Sequence, residues 1–387
     1  MRLTNGMILD GNFTLAPRDI VVQGERIAAL PPWEKGTQGD IVDLSGKLVV
    51  PGFIDQHIHG CGGFDVEDGS LEAIRAMSQE LARNGVTSFC PTVMSGPLDK
   101  LPGIIDAVRG SEKQGLLGAY PHGVRLEGPY LSPTKKGAQK EDYLRNPSAD
   151  EFLSLWDRCP GWIKMVDLAP ELEGAADFIR QVSRKCAVSL GHTSVTYQGA
   201  LEAFRLGASQ ATHLFNGMAA LNHREPGLAG AVLDHPQARG ELICDGVHIH
   251  PAVVRLAFRL LGEDRAVVVS DSMRGAGMPD GEYTLGGQKV RVQRGKALLE
   301  NGAIAGSVTN LHQELRNLLE YGVPMKEAIK AMTINPAVQL GVAEDTGSIE
   351  EGKYADLVVL DRNYDIYMVM VKGTIIEKHG KKAALGD

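Results

Sequence analysis

The chain has no apolar run approaching the roughly 20 residues that a membrane span requires, and its opening segment, MRLTNGMILDGNF, lacks the apolar core of a signal peptide. A membrane protein is not expected, and a cytoplasmic one is. Cysteine is scarce: Cys61, Cys90, Cys159, Cys186 and Cys244 are odd in number, scattered and never in CxxC spacing, which argues against a disulfide framework and against a thiolate zinc site. Positive charge is in deficit too, with 40 Lys and Arg against 48 Asp and Glu, a formal net charge of -8, and no basic run. Nucleic acid is therefore not an expected partner. A small anion is still compatible with that balance, because one arginine and a few backbone amides suffice to hold a phosphate. There is no tandem repeat, and no glycine-rich fingerprint follows the first strong strand, which counts against a doubly wound nucleotide-binding sheet, the alternative fold. Asn12-Phe13-Thr14 matches a glycosylation acceptor, but without a secretion signal it is read as chance.

What is present suits a globular α/β protein: 387 residues, 43% apolar, 23% charged, with 46 glycines. The first fifty residues hold short strand-like runs (20–22, 27–30 and 47–50) separated by turn signals such as Gln23-Gly24-Glu25 and Ser45-Gly46. Similar runs return at 355–360 and 367–376. The two ends, 1–50 and 345–387, are expected to form one small β-sandwich beside a catalytic domain spanning 51–344. Within that domain apolar runs alternate with helical patterns. Leu71, Ile74, Met77 and Leu81 recur at helical spacing between Ser70 and Asn84, and Gly85 follows as a stop. Eight strand candidates fall near 53–59, 86–93, 123–127, 163–168, 187–192, 210–214, 241–245 and 266–271, which predicts a TIM (β/α)8 barrel.

Chemistry concentrates where those strands end. In the run from Pro51 to Gly60, His57 and His59 stand two apart on a strand, so both point to one face while Ile58 packs on the other. Glu127 follows Val124-Arg125-Leu126, His192 follows Leu190-Gly191, His213 follows Ala211-Thr212, and Asp271 follows Val269-Ser270. Taken singly, Glu127 reads equally well as a paired carboxylate, the histidines as satisfied core residues and Asp271 as a helix cap. Together they are costly to bury unless something compensates them, and a cation does so. Imidazole with carboxylate suits zinc or iron rather than magnesium or calcium. A zinc-type ion with an open position lowers the pKa of water towards about 7, which makes hydrolysis the natural chemistry.

These segments resemble the amidohydrolase superfamily and, within it, the deacetylases of phosphorylated amino sugars. The likeness runs along essentially the whole chain, through Leu126 to Tyr130, Leu168 to Glu171, Gly191 to Thr193, Thr212 to Asn216, Asp245 to His248, Ser270 to Met273, Ile304 to Ser307, and Gly347 to Asp356. It implies that Glu127, His192 and His213 hold the principal metal, that His57 and His59 permit a second, and that Asp271 is the catalytic acid and base. Glu127 would then bridge, in the place where many relatives use a carboxylated lysine; Lys164 is a weak candidate for that role. Substrate contacts are implied at Ala138, Asn216, Gly217, Arg224, His248, Ile304, Ala305, Gly306 and Ser307. Gly217 stands where the resemblance leads one to expect alanine. Arg224 is the implied phosphate partner, since guanidinium binds oxyanions bidentately, and a homodimer is implied, whose second subunit could complete the pocket. The implied reaction is hydrolysis of the acetamide of N-acetyl-D-glucosamine 6-phosphate. The competing readings are a hydrolase of cyclic amides or N-acyl amino acids and a non-catalytic barrel that serves as an interaction protein.

Overall fold

The structure is a computed structural model that describes residues 1–33 and 40–378; the stretches 34–39 and 379–387 of the expected sandwich lie outside the described residues. Eight parallel strands follow one another around a barrel: β1 (Phe53–Ile58), β2 (Val86–Met94), β3 (Val124–Tyr130), β4 (Ile163–Leu168), β5 (Ala187–Leu190), β6 (Gln210–Ala211), β7 (Arg239–Leu242) and β8 (Ala266–Val268). The circle is completed at its carboxyl end, where the Asp271 amide donates to the His57 carbonyl and the His59 amide donates to the Ser272 carbonyl, both at 2.9 Å. The helices between strands bury one apolar stripe each. Leu71–Arg83 is typical: Ser70 caps it by accepting from the Ala73 amide, and Ile74, Met77 and Leu81 are buried against the barrel.

Four strands end earlier than the apolar runs suggest, at Leu190, Ala211, Leu242 and Val268 rather than at 192, 214, 245 and 271, and β7 also begins two residues sooner. At three of these ends the cause is local. His192, His213 and Asp271 have φ of 47°, 27° and 46°, a left-handed backbone that breaks strand pairing. For non-glycine residues this costs of order 1–3 kcal/mol each and tends to be stored at functional sites.

The chain ends fold as two sheets. One orders Arg26–Ala29, Ile20–Gln23, Arg2–Thr4 and Ile41–Asp43; the other orders Thr374–Lys378, Ile366–Val371, Leu357–Leu360, Leu48–Pro51, Met7–Leu9 and Leu15–Pro17. Leu3, Ile8, Ile20, Val49, Leu357 and Met368 share an apolar core between them. After β8 the chain makes a further antiparallel sheet, Gly281–Leu285, Gln288–Gln293 and Lys296–Leu299, which the sequence reading does not assign. Its apolar side packs with Met94, Ala138, Met273 and Ala305. That packing places Leu285 on the rim of the site.

Candidate active site

The carboxyl ends of the barrel strands open into a cavity of about 260 Å³. Around its floor two groups of potential ligands converge, His57 with His59 and Asp271, and Glu127 with His192 and His213, each with donor atoms within 4.8 Å of one another. Glu127 joins the groups. Its Oε1 lies 3.0 Å from His192 Nε2 and 3.1 Å from His213 Nε2, while its Oε2 lies 3.3 Å from His59 Nε2 and accepts from Gln139 Nε2 at 2.7 Å. Asp271 Oδ1 sits 3.4 Å from His57 Nε2 and 3.2 Å from His59 Nε2.

The other ring nitrogens settle what this cluster is built to hold. His59 Nδ1 faces the Thr92 carbonyl at 3.1 Å, His192 Nδ1 the Lys135 carbonyl at 2.7 Å, and His213 Nδ1 the Asn216 carbonyl at 3.1 Å. His57 Nδ1 faces Glu241 Oε2 at 3.3 Å. Carbonyl and carboxylate oxygens only accept, so all four Nδ1 atoms carry hydrogen and all four rings turn Nε2, the nitrogen left to ligate, to the centre. His192 and His213 even aim their Nε2 atoms at each other across 3.2 Å, and His57 Nε2 is buried with no hydrogen-bond partner. Lone pairs and carboxylates gathered this way need positive charge between them. The same demand shows in proton affinity: against burial, Glu127 and its neighbours push His213 up to about 9, and Asp271 with Glu127 pushes His59 well above its ordinary range. Glu127, also against burial, is held well below the usual carboxylate range by the same histidines. A divalent cation meets this demand, and imidazole with carboxylate is a donor set suited to one.

Beneath the site lies a charged network absent from the sequence reading. Arg125 is fully buried in β3 and donates to Asp167 from Nη2 at 2.9 Å and to both oxygens of Glu241, from Nη2 at 3.1 Å and from Nη1. Glu241 also accepts from Gln56 Nε2 and Gln210 Nε2, each at 2.7 Å, and from the His213 amide at 3.2 Å. Arg125 and His57 hold Glu241 well below the usual carboxylate range in spite of burial. One carboxylate thus orients a ring of the first ligand group and the backbone of the second. On the far side, Ser270 Oγ donates to Asp55 Oδ2 at 2.5 Å, fixing the turn that carries Asp271.

The predicted substrate-contact residues divide. Ala138, Asn216, Gly217, His248, Ile304 and Gly306 line the cavity. Ala305 is fully buried behind it, and Ser307 is buried with its amide donating to the Asp271 carbonyl at 2.7 Å. His248 Nδ1 bonds Asp245 Oδ2 at 2.8 Å, which leaves its other nitrogen for the cavity. Arg224 does not line the cavity of its own chain: it is exposed, in the loop between β6 and the helix Gly227–Asp234. Lys164 belongs to the opposite end of the barrel, at the start of β4, so it is no bridging ligand.

The family model of the amidohydrolase family matches residues 48–376. The chain belongs to that family and is a metal-dependent hydrolase. Within it, the chain is 35% identical to the N-acetylglucosamine-6-phosphate deacetylase of Vibrio furnissii over 352 residues, 90% of this chain and 88% of that one. It is 36% identical to the N-acetylgalactosamine-6-phosphate deacetylase of Escherichia coli O157:H7 over 337 residues, 87% and 89% of the two chains. The crystal structure of N-acetylglucosamine-6-phosphate deacetylase from Pasteurella multocida superposes with a TM-score of 0.91 at 32% identity, covering 97% of this chain and 98% of that one. No helix among the described residues is long and apolar enough to cross a membrane.

Proposed function

We propose that this chain hydrolyses the acetamide of N-acetyl-D-glucosamine 6-phosphate, in the cytosol, to D-glucosamine 6-phosphate and acetate. The observation that carries the reading is the convergence of four Nε2 atoms on Glu127 and Asp271 at the floor of a sugar-sized cavity. Glu127, His192 and His213 are the ligands of the principal ion, with His57, His59 and Asp271 available to a second, and zinc or iron suits both sets. Such a cation, when bound, acidifies water and polarises a carbonyl. Asp271 takes a proton from the attacking water and returns it to the departing amine, so one carboxylate serves as base and then acid. His248, steadied by Asp245 through Nδ1, turns Nε2 towards the acetyl oxygen, where negative charge builds. Asn216, Gly217, Ala138 and the 304–307 loop shape the sugar pocket, and Arg224 meets the phosphate from the second subunit of a homodimer.

The test is acetate release by metal-loaded protein, wild type beside Asp271→Asn. A loss of about 10²- to 10⁴-fold in turnover at unchanged metal content is the expected cost of removing a general base, and near-normal turnover would sink the assignment. The Escherichia coli relative supports a second reading, in which the C4 epimer is the better substrate. Comparing the two epimers, each with and without the 6-phosphate, separates the readings, and a preference for unphosphorylated sugar would refute both.

A further inference from the structure

A second cavity, of about 250 Å³, lies at the amino-terminal pole of the barrel, opposite the site above. The starts of three barrel elements meet there: Tyr120 and Pro121 pair beside the beginning of β2, and Lys164 sits at the second residue of β4. The chain's returning segment closes it with Asp345, Tyr354 and Lys372. Lys372 lays its ammonium group over Tyr120 at 3.9 Å and Tyr354 at 4.7 Å. Neither Lys164 nor Lys372 has an ion pair or a side-chain hydrogen bond among the described residues, although both are half-buried.

The carboxylates nearby are already committed or remote. Asp345 pairs with Arg26 at 2.9 Å. Asp356 accepts from Tyr120 Oη at 2.6 Å, Thr346 Oγ1 at 2.9 Å and the Lys372 amide at 2.8 Å, and Glu112 stands exposed at the rim. Two ammonium groups without a salt-bridge partner among the described residues, facing one concavity, are out of keeping with a chain of net charge -8, and partly desolvated cations ordinarily find a counter-charge. The field they create is felt by His122, whose imidazole is pushed down to about 3, chiefly by burial and then by Lys164 and Lys372.

We infer that this cavity is a second ligand site, for a small phosphate-bearing anion held between Lys164 of the barrel and Lys372 of the terminal sheet. A dianion there meets one ammonium group from each layer, in a cavity that Tyr120, Tyr354 and Trp162 help to line. Because Arg26 of the terminal sheets both stacks on Tyr354 and pairs with Asp345, the anion would tie the terminal sheets to the barrel. Its signature is stability rather than turnover, since a ligand bound only by the folded state raises the melting temperature.

The experiment is thermal unfolding of the full chain in inorganic phosphate and in chloride at equal ionic strength, for wild type, Lys164→Gln, Lys372→Gln and Lys164→Arg. Phosphate is expected to raise the wild-type melting temperature above chloride, the increment falling by at least half in each glutamine variant and returning in Lys164→Arg. Equal increments in wild type and glutamine variants would place the anion elsewhere and overturn the inference, as would no increment in wild type. Should Lys372→Gln fail to fold for want of its ring contacts, Lys164→Gln carries the test, since the Lys164 ammonium group stacks on no aromatic ring among the described residues.

Discussion

Replacing Glu241 with glutamine preserves shape and removes one acceptor oxygen, which isolates what the buried carboxylate does. Its Oε1 accepts from Gln56, Gln210 and Arg125 Nη1, and its Oε2 from Arg125 Nη2, His57 Nδ1 and the His213 amide. Either orientation of an amide therefore sets an NH2 group against three donors. The cheaper orientation turns that group towards Gln56 and Gln210, which can flip to offer their own oxygens, and leaves Arg125 Nη1 short of a partner and the guanidinium with Asp167 as its remaining counter-ion. Breaking a buried ion pair outright costs about 3–5 kcal/mol; with Asp167 retained, about 3 kcal/mol is expected, near the penalty of one unsatisfied buried charged donor. For a chain of this size that is a fall of roughly 4 °C in melting temperature. His57 loses its charged orienting partner as well, and the loss of such a partner typically weakens metal binding about 10- to 100-fold. Thermal unfolding together with elemental analysis after dialysis reads both effects. A variant that melts within a degree of wild type and keeps its metal would refute the argument that Glu241 couples the barrel core to the ligands.

Stripping the metal with a chelator should abolish acetate release and lower the melting temperature, with both restored by zinc or ferrous iron; full turnover by a verifiably metal-free protein would end the metal-centred reading. His122 gives a pH prediction with a definite sign. Its folded value, about 3, lies below its ordinary value of 6.5, so the unfolded chain takes up a proton that the folded one refuses, and stability present above pH 6.5 is lost as pH falls towards 3. Up to about 2 kcal/mol should disappear between pH 7 and pH 5 from this residue, and the acid slope of His122→Gln should be shallower by that amount; parallel slopes would show that the imidazole is solvated.

The part of the fold legible in the sequence is the part governed by short-range pattern. The buried strands β1 to β4 announce themselves as apolar runs, and the ligands are conspicuous because His57, Glu127 and Asp271 interrupt such runs at their carboxyl ends. What escapes is whatever depends on pairing across the chain. Arg125 looks like an unremarkable polar residue inside a strand; only closure of the barrel reveals that Glu241, 116 positions away, neutralises it. The sheet from Gly281 to Leu299 did have a local signal. Tyr283, Leu285, Val290 and Val292 alternate with polar residues, and Gly286-Gly287 and Arg294-Gly295 are two-residue turns with positive φ. Half-exposed alternation is simply a weaker cue than a continuous apolar run.

Gly217 shows where family likeness and local geometry diverge. Alanine is the residue the resemblance suggests, yet here φ is 61°, and a Cβ would come within 3.1 Å of His192 Nδ1 and 3.2 Å of both His192 Cε1 and His213 Cε1. Whether the rings can yield decides the outcome. They are pinned: His192 Nδ1 by the Lys135 carbonyl at 2.7 Å and His213 Nδ1 by the Asn216 carbonyl at 3.1 Å. Behind the His192 ring stands Gly137, where a Cβ would lie 3.2 Å from Cε1, so that ring is held closely on both sides. Gly217→Ala should therefore cost about 1–2 kcal/mol in left-handed backbone, with a further penalty of roughly 1 kcal/mol for crowding. Because any relief must come from displacing His192 or His213, affinity for the principal ion should fall with stability, and metal titration followed by unfolding would measure both. At a compatible position the same substitution stabilises by about 0.4–1 kcal/mol, so a variant that gained stability and held its metal would mean that the two imidazoles are not fixed by their carbonyl partners.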